Sequence, residues 1–392
     1  LKHRFLDLRR EEMQGNIMFR HKITAAIRRH LDRNGFVDIE TPVLNKSTPE
    51  GARDFLVPSR LAPGHFYALP QSPQIFKQIL MVSGFDRYSQ VVKCFRDEDL
   101  RADRQPEFTQ VDLELSFVTR DEILAIVEDV VRGALADSAG VVVPATVERM
   151  TYADAINRFG SDKPDLRIPF EIRDVGDIAA KTSFSVFKNA LDAGGLVRAL
   201  PVPGGSKISR SQIDDLTKFV SAYGAKGLAW LKMAGGKLEG VPAKFFPDDV
   251  KAELIARCAL KDGDIVFFAA DGEKVVVESL GALRLRVGRD LEMIEKNSWR
   301  FLWVVDFPLF MYDEKEKRIG AVHHPFTAPS PEDGHLLATD PLKCRSDAYD
   351  LVLNGSEIGG GSLRIHQAEM QSKVFEILKI GPDEAREKFG FL

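Results

Sequence analysis

From Thr109 to Phe117 the chain alternates strictly. Val111, Leu113, Leu115 and Phe117 fall on one face, and Gln110, Asp112, Glu114 and Ser116 on the other. The apolar face suits a core, and the polar face offers hydrogen-bonding groups to a cavity. Upstream, residues 11–34 read as an amphipathic helix, with Met13, Ile17, Ile23, Ile27 and Leu31 along one side and Gly35 ending it. Phe36 to Thr41 then alternates as a strand that Pro42 terminates, which places it at a sheet edge or a subunit contact. Strands are predicted around 66–69, 91–98 and 108–117. A helix over 121–137 follows, burying Ile123, Leu124, Ile126, Val127, Val130 and Val131.

From about 168 to 288 the texture changes. Glycine- and proline-rich breaks alternate with short patterns such as Asp264 to Ala270 and Ser211 to Tyr223. Strand patterns return at 301–307, 319–323 and 348–366. Strands in series, without βαβ alternation, predict an α+β protein with an antiparallel sheet flanked by helices. The expected domains are a core in two parts, 1–167 and 289–392, with a smaller α+β domain inserted at 168–288. At 392 residues the chain exceeds one ordinary core, which agrees with that division.

Composition narrows the classes. No apolar run approaches the ~20 residues of a membrane helix. Three cysteines, Cys94, Cys258 and Cys344, lie far apart with no CxxC pair, so reduced thiols in a cytoplasmic protein are expected and a zinc site is not. The net charge of −4 excludes a global basic footprint, so any nucleic-acid contact is local. Arg20, Lys22, Arg28, Arg29 and Arg33 form the best basic patch, which a solvated helix face explains equally well. The sequence opens on Leu1 and stops within a helical pattern begun at Pro382, and it reads as a fragment.

The candidate chemistry lies in two places. Between Cys94 and Phe108 charges of both signs alternate, with Arg96 and Glu98 on one face of the first strand. A salt-laced surface hairpin is the competing explanation. Farther on, Asn354-Gly355 between apolar runs is a strong hairpin signal. That turn opposes Val352 to Glu357 and sets Asp350 one diagonal step away on the same face. Carboxylates so placed repel unless a cation lies between them, and hard oxygen donors suit magnesium. Two solvated carboxylates are the alternative. Gly359-Gly360-Gly361 removes three side chains in a row, as a ligand, a close backbone or a bulge demands. Arg364 shares a pocket with Glu357 only if such a bulge exists. No phosphate loop, G-x-G-x-x-G or H-E-x-x-H occurs, so a bound nucleotide must rely on arginine and metal. Lys77, on a helix predicted after Pro73, and the pair His323-His324 are weaker candidates, for which exposure and a structural role compete.

These residues resemble the catalytic part of the bacterial-type aspartyl-tRNA synthetases, which are class II aminoacyl-tRNA synthetases. The resemblance runs nearly end to end: Ser47 to Asp54, Ala68 to Gln78, Phe95 to Phe108, His323 to Thr327 and Gly359 to His366. It implies a class II synthetase-like sheet, a dimer contact at the segment ending in Pro42, and an inserted domain. It implies ATP as substrate with Mg2+, L-aspartate and tRNA as partners, a homodimer, and no membrane. Arg96 would clamp the α-phosphate, with Glu98 as its catalytic companion and Asp97, Gln105 and Glu357 seating the nucleotide. Asp350 and Glu357 would hold magnesium. Lys77 and Arg364 would bind the aspartate side chain, and Asp112, helped by Ser72 and Gln74, its ammonium group. Glu50 and His323 would lie on loops that close over the amino acid. The family's third motif and its anticodon-binding barrel have no counterpart in this sequence, so this chain alone is expected to be weak or inactive. An asparagine-forming ligase and a noncatalytic dimeric relative that binds nucleic acid or a partner are the other readings. The choice between aspartate-only and additional asparagine tRNA use is left open.

Overall fold

The computed structural model describes residues 2–47, 52–99 and 105–389. It divides into two compact units. One comprises 1–147, 308–347 and 362–392, and the other 148–307 and 348–361.

In the first unit, helix Glu11–Arg33 packs on helix Arg120–Ala139. The second helix opens with a Thr119–Glu122 capping box, in which each residue's side chain accepts from the other's backbone N–H, and Gly140 closes it in the left-handed region. The helices approach so closely that a Cβ on Gly133 would sit 2.0 Å from the His30 ring, which would have to turn aside to admit any other residue. Leu31, Phe36 and Val130 form the buried centre, with Ile27, Ile126, Leu113 and Leu115 against it. Beneath lies a three-stranded sheet in the order Val37–Asp38, Arg87–Phe95, Glu107–Leu115.

Two expectations fail here. The alternation stops at Leu115, because the Ser116 N–H bonds to Asp86 O and Phe117 turns into the left-handed region at φ 59°, leaving its ring exposed. Val111 is exposed as well, since the cluster covers Leu113 and Leu115 only. The Pro42-terminated strand shortens to Val37–Asp38 and pairs in parallel with Arg87–Phe95. It lies at the sheet edge, as the proline requires.

The second unit holds a five-stranded sheet, ordered Lys237–Glu239, Ala229–Ala234, Ile265–Asp271, Leu196–Val202, Arg173–Asp174, with every pairing antiparallel. Its central strand is buried on both faces. Ile265, Phe267 and Ala269 join Ile213, Leu216, Leu280 and Leu283 on one side. Val266 and Phe268 join Phe187, Val250 and Leu254 on the other. A four-stranded sheet in the same unit runs Ser356–Ser362, Ala348–Leu353, Phe301–Val305, Glu148–Thr151. Its pairing of Phe301–Val305 with Glu148–Thr151 is parallel, so the fold is mixed α+β with several sheets, not wholly antiparallel. No helix among the described residues is long and apolar enough to cross a membrane.

Arg284 is the most deeply buried charged residue described in this unit, and the hydrophobic pattern does not announce it. Only 1% exposed, it donates to the carbonyls of Phe170 (2.7 Å), Ile168 (2.7 Å) and Asp165 (3.0 Å) and lies over the Phe159 ring. Burial lowers its pKa to about 10, against the raising effect of Asp165 and Glu171. The planar guanidinium therefore serves as a clamp on the segment 165–170. Replacing it with alanine takes the donor from the Phe170 and Ile168 carbonyls and leaves Asp165 O only its 3.4 Å bond from the Ile168 N–H, at a cost of about 3 kcal/mol. Arg284→Ala is expected to lower the thermal midpoint markedly. Arg284→Lys should recover only part of the loss, because one ammonium cannot reproduce the fork. Calorimetry of the two variants checks this; equal midpoints for wild type and Arg284→Ala would refute it.

Candidate active site

In the first unit, helix Gln74–Val82 begins immediately after Pro73, and Lys77 sits one turn in, facing inward with Gln74. Across from it, strand Glu107–Leu115 presents Asp112 and Glu114, which share a face by the period of two. Lys77 Nζ lies 2.9 Å from Asp112 Oδ1 and 3.1 Å from Glu114 Oε2, with the lysine side chain 8% exposed. Burial works against the charge on Lys77, but Asp112 and Glu114 outweigh it and hold the pKa above the usual lysine value. Burial acts on Asp112 too, raising its pKa against the pull of Lys77. The lysine is the better stabilised ion of the pair, since it faces two carboxylates.

Arg364 completes this group. Its guanidinium reaches Gln74 Oε1 at 3.5 Å, and its backbone bridges to Thr327. His324 is the third basic group, and burial, then Arg364 and Lys77, depress its pKa to about 3. Its Nδ1 accepts from the Phe326 N–H at 3.2 Å, so the neutral ring carries its proton on Nε2. Several buried polar atoms here have no partner among the described residues: Gln74 Nε2, Gln78 Oε1 and Asp112 Oδ2. Such atoms cost free energy unless a ligand satisfies them.

Arg96 follows directly on strand Arg87–Phe95. Its backbone N–H donates to Pro106 O (2.9 Å), its guanidinium stacks 5.1 Å from the Phe108 ring centre, and its Nε is buried without a partner. The aromatic platform and the backbone bond fix the direction of a cation that still has donors to spend. Asp97 is engaged by Arg53, through a backbone bridge and a 3.5 Å ion pair. Glu98, Gln105 and His323 are exposed, and Ser72 is half-buried. Glu50 lies outside the described residues.

In the second unit, Asn354 and Gly355 form the two-residue turn, with φ values of 52° and 81°. A Cβ on Gly360 would fall 2.2 Å from Asp350 Oδ1, and one on Gly361 would fall 3.0 Å from the Tyr349 hydroxyl. The glycine run thus leaves room for Asp350 and Tyr349. Opposing Leu353 to Ser356 would place Asp347 against Ser362 in unbroken pairing, yet the Leu363 N–H donates to Asp347 O (3.0 Å). That offset of one residue is what a bulge introduces. Burial, then the charges of Glu357 and Asp162, push the Asp350 carboxyl up to about 8, while Lys163 draws it down. Among the described residues no three His, Cys, Asp or Glu side chains group to hold a metal. A pair of carboxylates with oxygen ligands from elsewhere fits magnesium, which keeps waters and phosphates in its shell.

The structure therefore brings Gln74, Lys77, Asp112 and Arg364 together, and pairs Asp350 electrostatically with Glu357. Glu114 joins the first group without having been singled out by sequence reasoning, marked only by its alternation with Asp112. Of the candidate pair His323-His324, it is His324 that joins the group, whereas the site role had been given to His323.

The chain is 55% identical over its full length to an aspartate–tRNA(Asp/Asn) ligase of Brachyspira hyodysenteriae, covering 67% of that protein. It is 55% identical to an aspartate–tRNA ligase of Halalkalibacterium halodurans, covering 66%, and 51% identical to an aspartate–tRNA(Asp/Asn) ligase of Thermoanaerobacter pseudethanolicus, covering 66%. The chain thus spans about two thirds of the length of the relatives it matches. The model for tRNA synthetases class II (D, K and N) matches residues 1–392, and the chain belongs to that family.

Proposed function

We propose that this chain is the catalytic portion of an aspartate–tRNA ligase, which activates L-aspartate with ATP and passes the aspartyl group to the 3′ end of tRNA. The observation that carries the reading is the group of buried Lys77 with half-buried Arg364 and Asp112, in which Asp112 Oδ2 and Gln74 Nε2 are buried without partners among the described residues. A side-chain carboxylate answers the two cations, and an ammonium answers Asp112. Asparagine would offer Arg364 one acceptor and a clashing donor, so the same group rejects it. Neutral His324 donates through Nε2 and adds no third charge.

Activation joins the aspartate α-carboxylate to the α-phosphorus and releases pyrophosphate. The nucleophile is already ionised, so no general base is needed. Arg96, steered by Phe108, neutralises charge developing on the α-phosphate, and Glu98, Asp97 and Gln105 are the residues proposed to seat the nucleotide. Asp350 and Glu357 are the proposed magnesium ligands; bound magnesium supplies charge neutralisation to the triphosphate.

The inserted domain is proposed at 168–288, supported by the self-contained five-stranded sheet within it. A homodimer is proposed through the first helix and the edge strand, where Ile17, Met18, Phe19, Val37, Val43 and Leu44 are exposed. A cytoplasmic location follows from the reaction. A noncatalytic role is disfavoured, because buried polar atoms without partners are costly to keep once no ligand uses them.

Aspartate-dependent exchange of pyrophosphate with ATP tests the reading in the full-length protein. Arg96→Ala and Arg364→Ala are each expected to reduce kcat/KM for aspartate about 100-fold or more, near 3 kcal/mol. Exchange driven better by asparagine than by aspartate would refute the assignment. For the metal, Asp350→Asn should raise the magnesium concentration needed for half-maximal exchange severalfold. An unchanged magnesium titration would remove Asp350 from the metal site.

A further inference from the structure

Glu114 has no assigned task in the reading above, yet it is one of the two carboxylates on Lys77. Asp112 touches that lysine through Oδ1, while its Oδ2 is buried and unpartnered. If Oδ2 receives the substrate ammonium, Asp112 is divided between two cations and holds each less firmly. The lysine must then depend on its other partner. We propose that Glu114 is a positioning residue: it keeps Lys77 charged and in place while Asp112 is engaged by the aspartate ammonium, and so tunes the pocket to an amino acid instead of a bare dicarboxylate. This rests on the proposed aspartate site and deepens it.

The charge count supports the assignment. Lys77 and Arg364 carry two positive charges, Asp112 and Glu114 two negative ones, and His324 is neutral. The side-chain carboxylate and ammonium of aspartate cancel within this group, and the α-carboxylate, which gives the ligand its net charge of −1, is the nucleophile directed to the α-phosphate. Without Glu114 the pocket holds an excess positive charge, and Asp112 is free to turn both oxygens to the lysine. An ammonium-bearing ligand then loses its acceptor, whereas a dicarboxylate without an ammonium does not. Among the described residues, the charged and titratable groups that act on Lys77 are Asp112 and Glu114 from the strand, with Arg364 and His324 beyond them. Tyr88, opposite Glu114 in the register, stays protonated throughout the working range. Losing Glu114 therefore leaves Asp112 alone to offset the burial of the lysine, and the lysine deprotonates at lower pH.

Glu114→Gln and Glu114→Asp in the full-length protein test this by pyrophosphate exchange. Glu114→Gln is expected to raise KM for aspartate about tenfold while kcat changes less, leave KM for ATP unmoved, and shift the alkaline limb of kcat/KM downward by about one pH unit. Succinate should compete with aspartate more effectively than in wild type, and Glu114→Asp should fall between the two. An unchanged aspartate KM and alkaline limb in an enzyme whose wild type exchanges normally would overturn the role of Glu114 alone. So would parallel losses for ATP and aspartate together with a lowered thermal midpoint, which indicate a structural role. Wild-type protein without aspartate-dependent exchange would overturn the underlying site as well.

Discussion

An ammonium group taken out of water must be met by negative charge, and the first unit is organised around one such group. Lys77 lies where helix Gln74–Val82 and strand Glu107–Leu115 converge, and two carboxylates on that strand face it. Neither element could shift by one residue without turning the ion pair out of register, because a strand that slips by one exchanges its faces. The same packing that excludes water from the lysine leaves Asp112 Oδ2 buried without a partner among the described residues, so the atoms that hold the ion pair are also those the proposed substrate would meet.

Much of this was legible from local rules. Asn354-Gly355 announced its turn because only residues tolerant of positive φ make so tight a connection. The first helix was readable from its apolar spacing, and the polar face of the strand was readable from its alternation. What escaped has physical causes. Phe117 looked like core because alternation carries no information about where a strand leaves its sheet. Parallel pairing of Val37–Asp38 and of Glu148–Thr151 joins segments far apart in sequence, which turn signals cannot encode. Arg284 was hidden because its partners are backbone carbonyls, which are present at every position.

The candidate site was legible in its residue types more than in its individuals. Arginines and carboxylates in odd, dense runs pointed to phosphate and metal chemistry. Choosing between His323 and His324 required knowing which ring turns inward, a matter of backbone direction at one dipeptide. Glu114 was the reverse case: its face was known, but its service to Lys77 depends on a helix distant in sequence.

The five-stranded sheet of the second unit has helices over both faces, and its outermost strands are Lys237–Glu239 and Arg173–Asp174, three and two residues long. Margins this brief give a passing chain almost no ladder to extend, so this sheet is poorly suited to recruiting others by strand addition. Recognition by this part of the molecule must then be written on the outer sides of its helices and on its connecting loops. Those surfaces can diverge among relatives while the layered interior stays as it is.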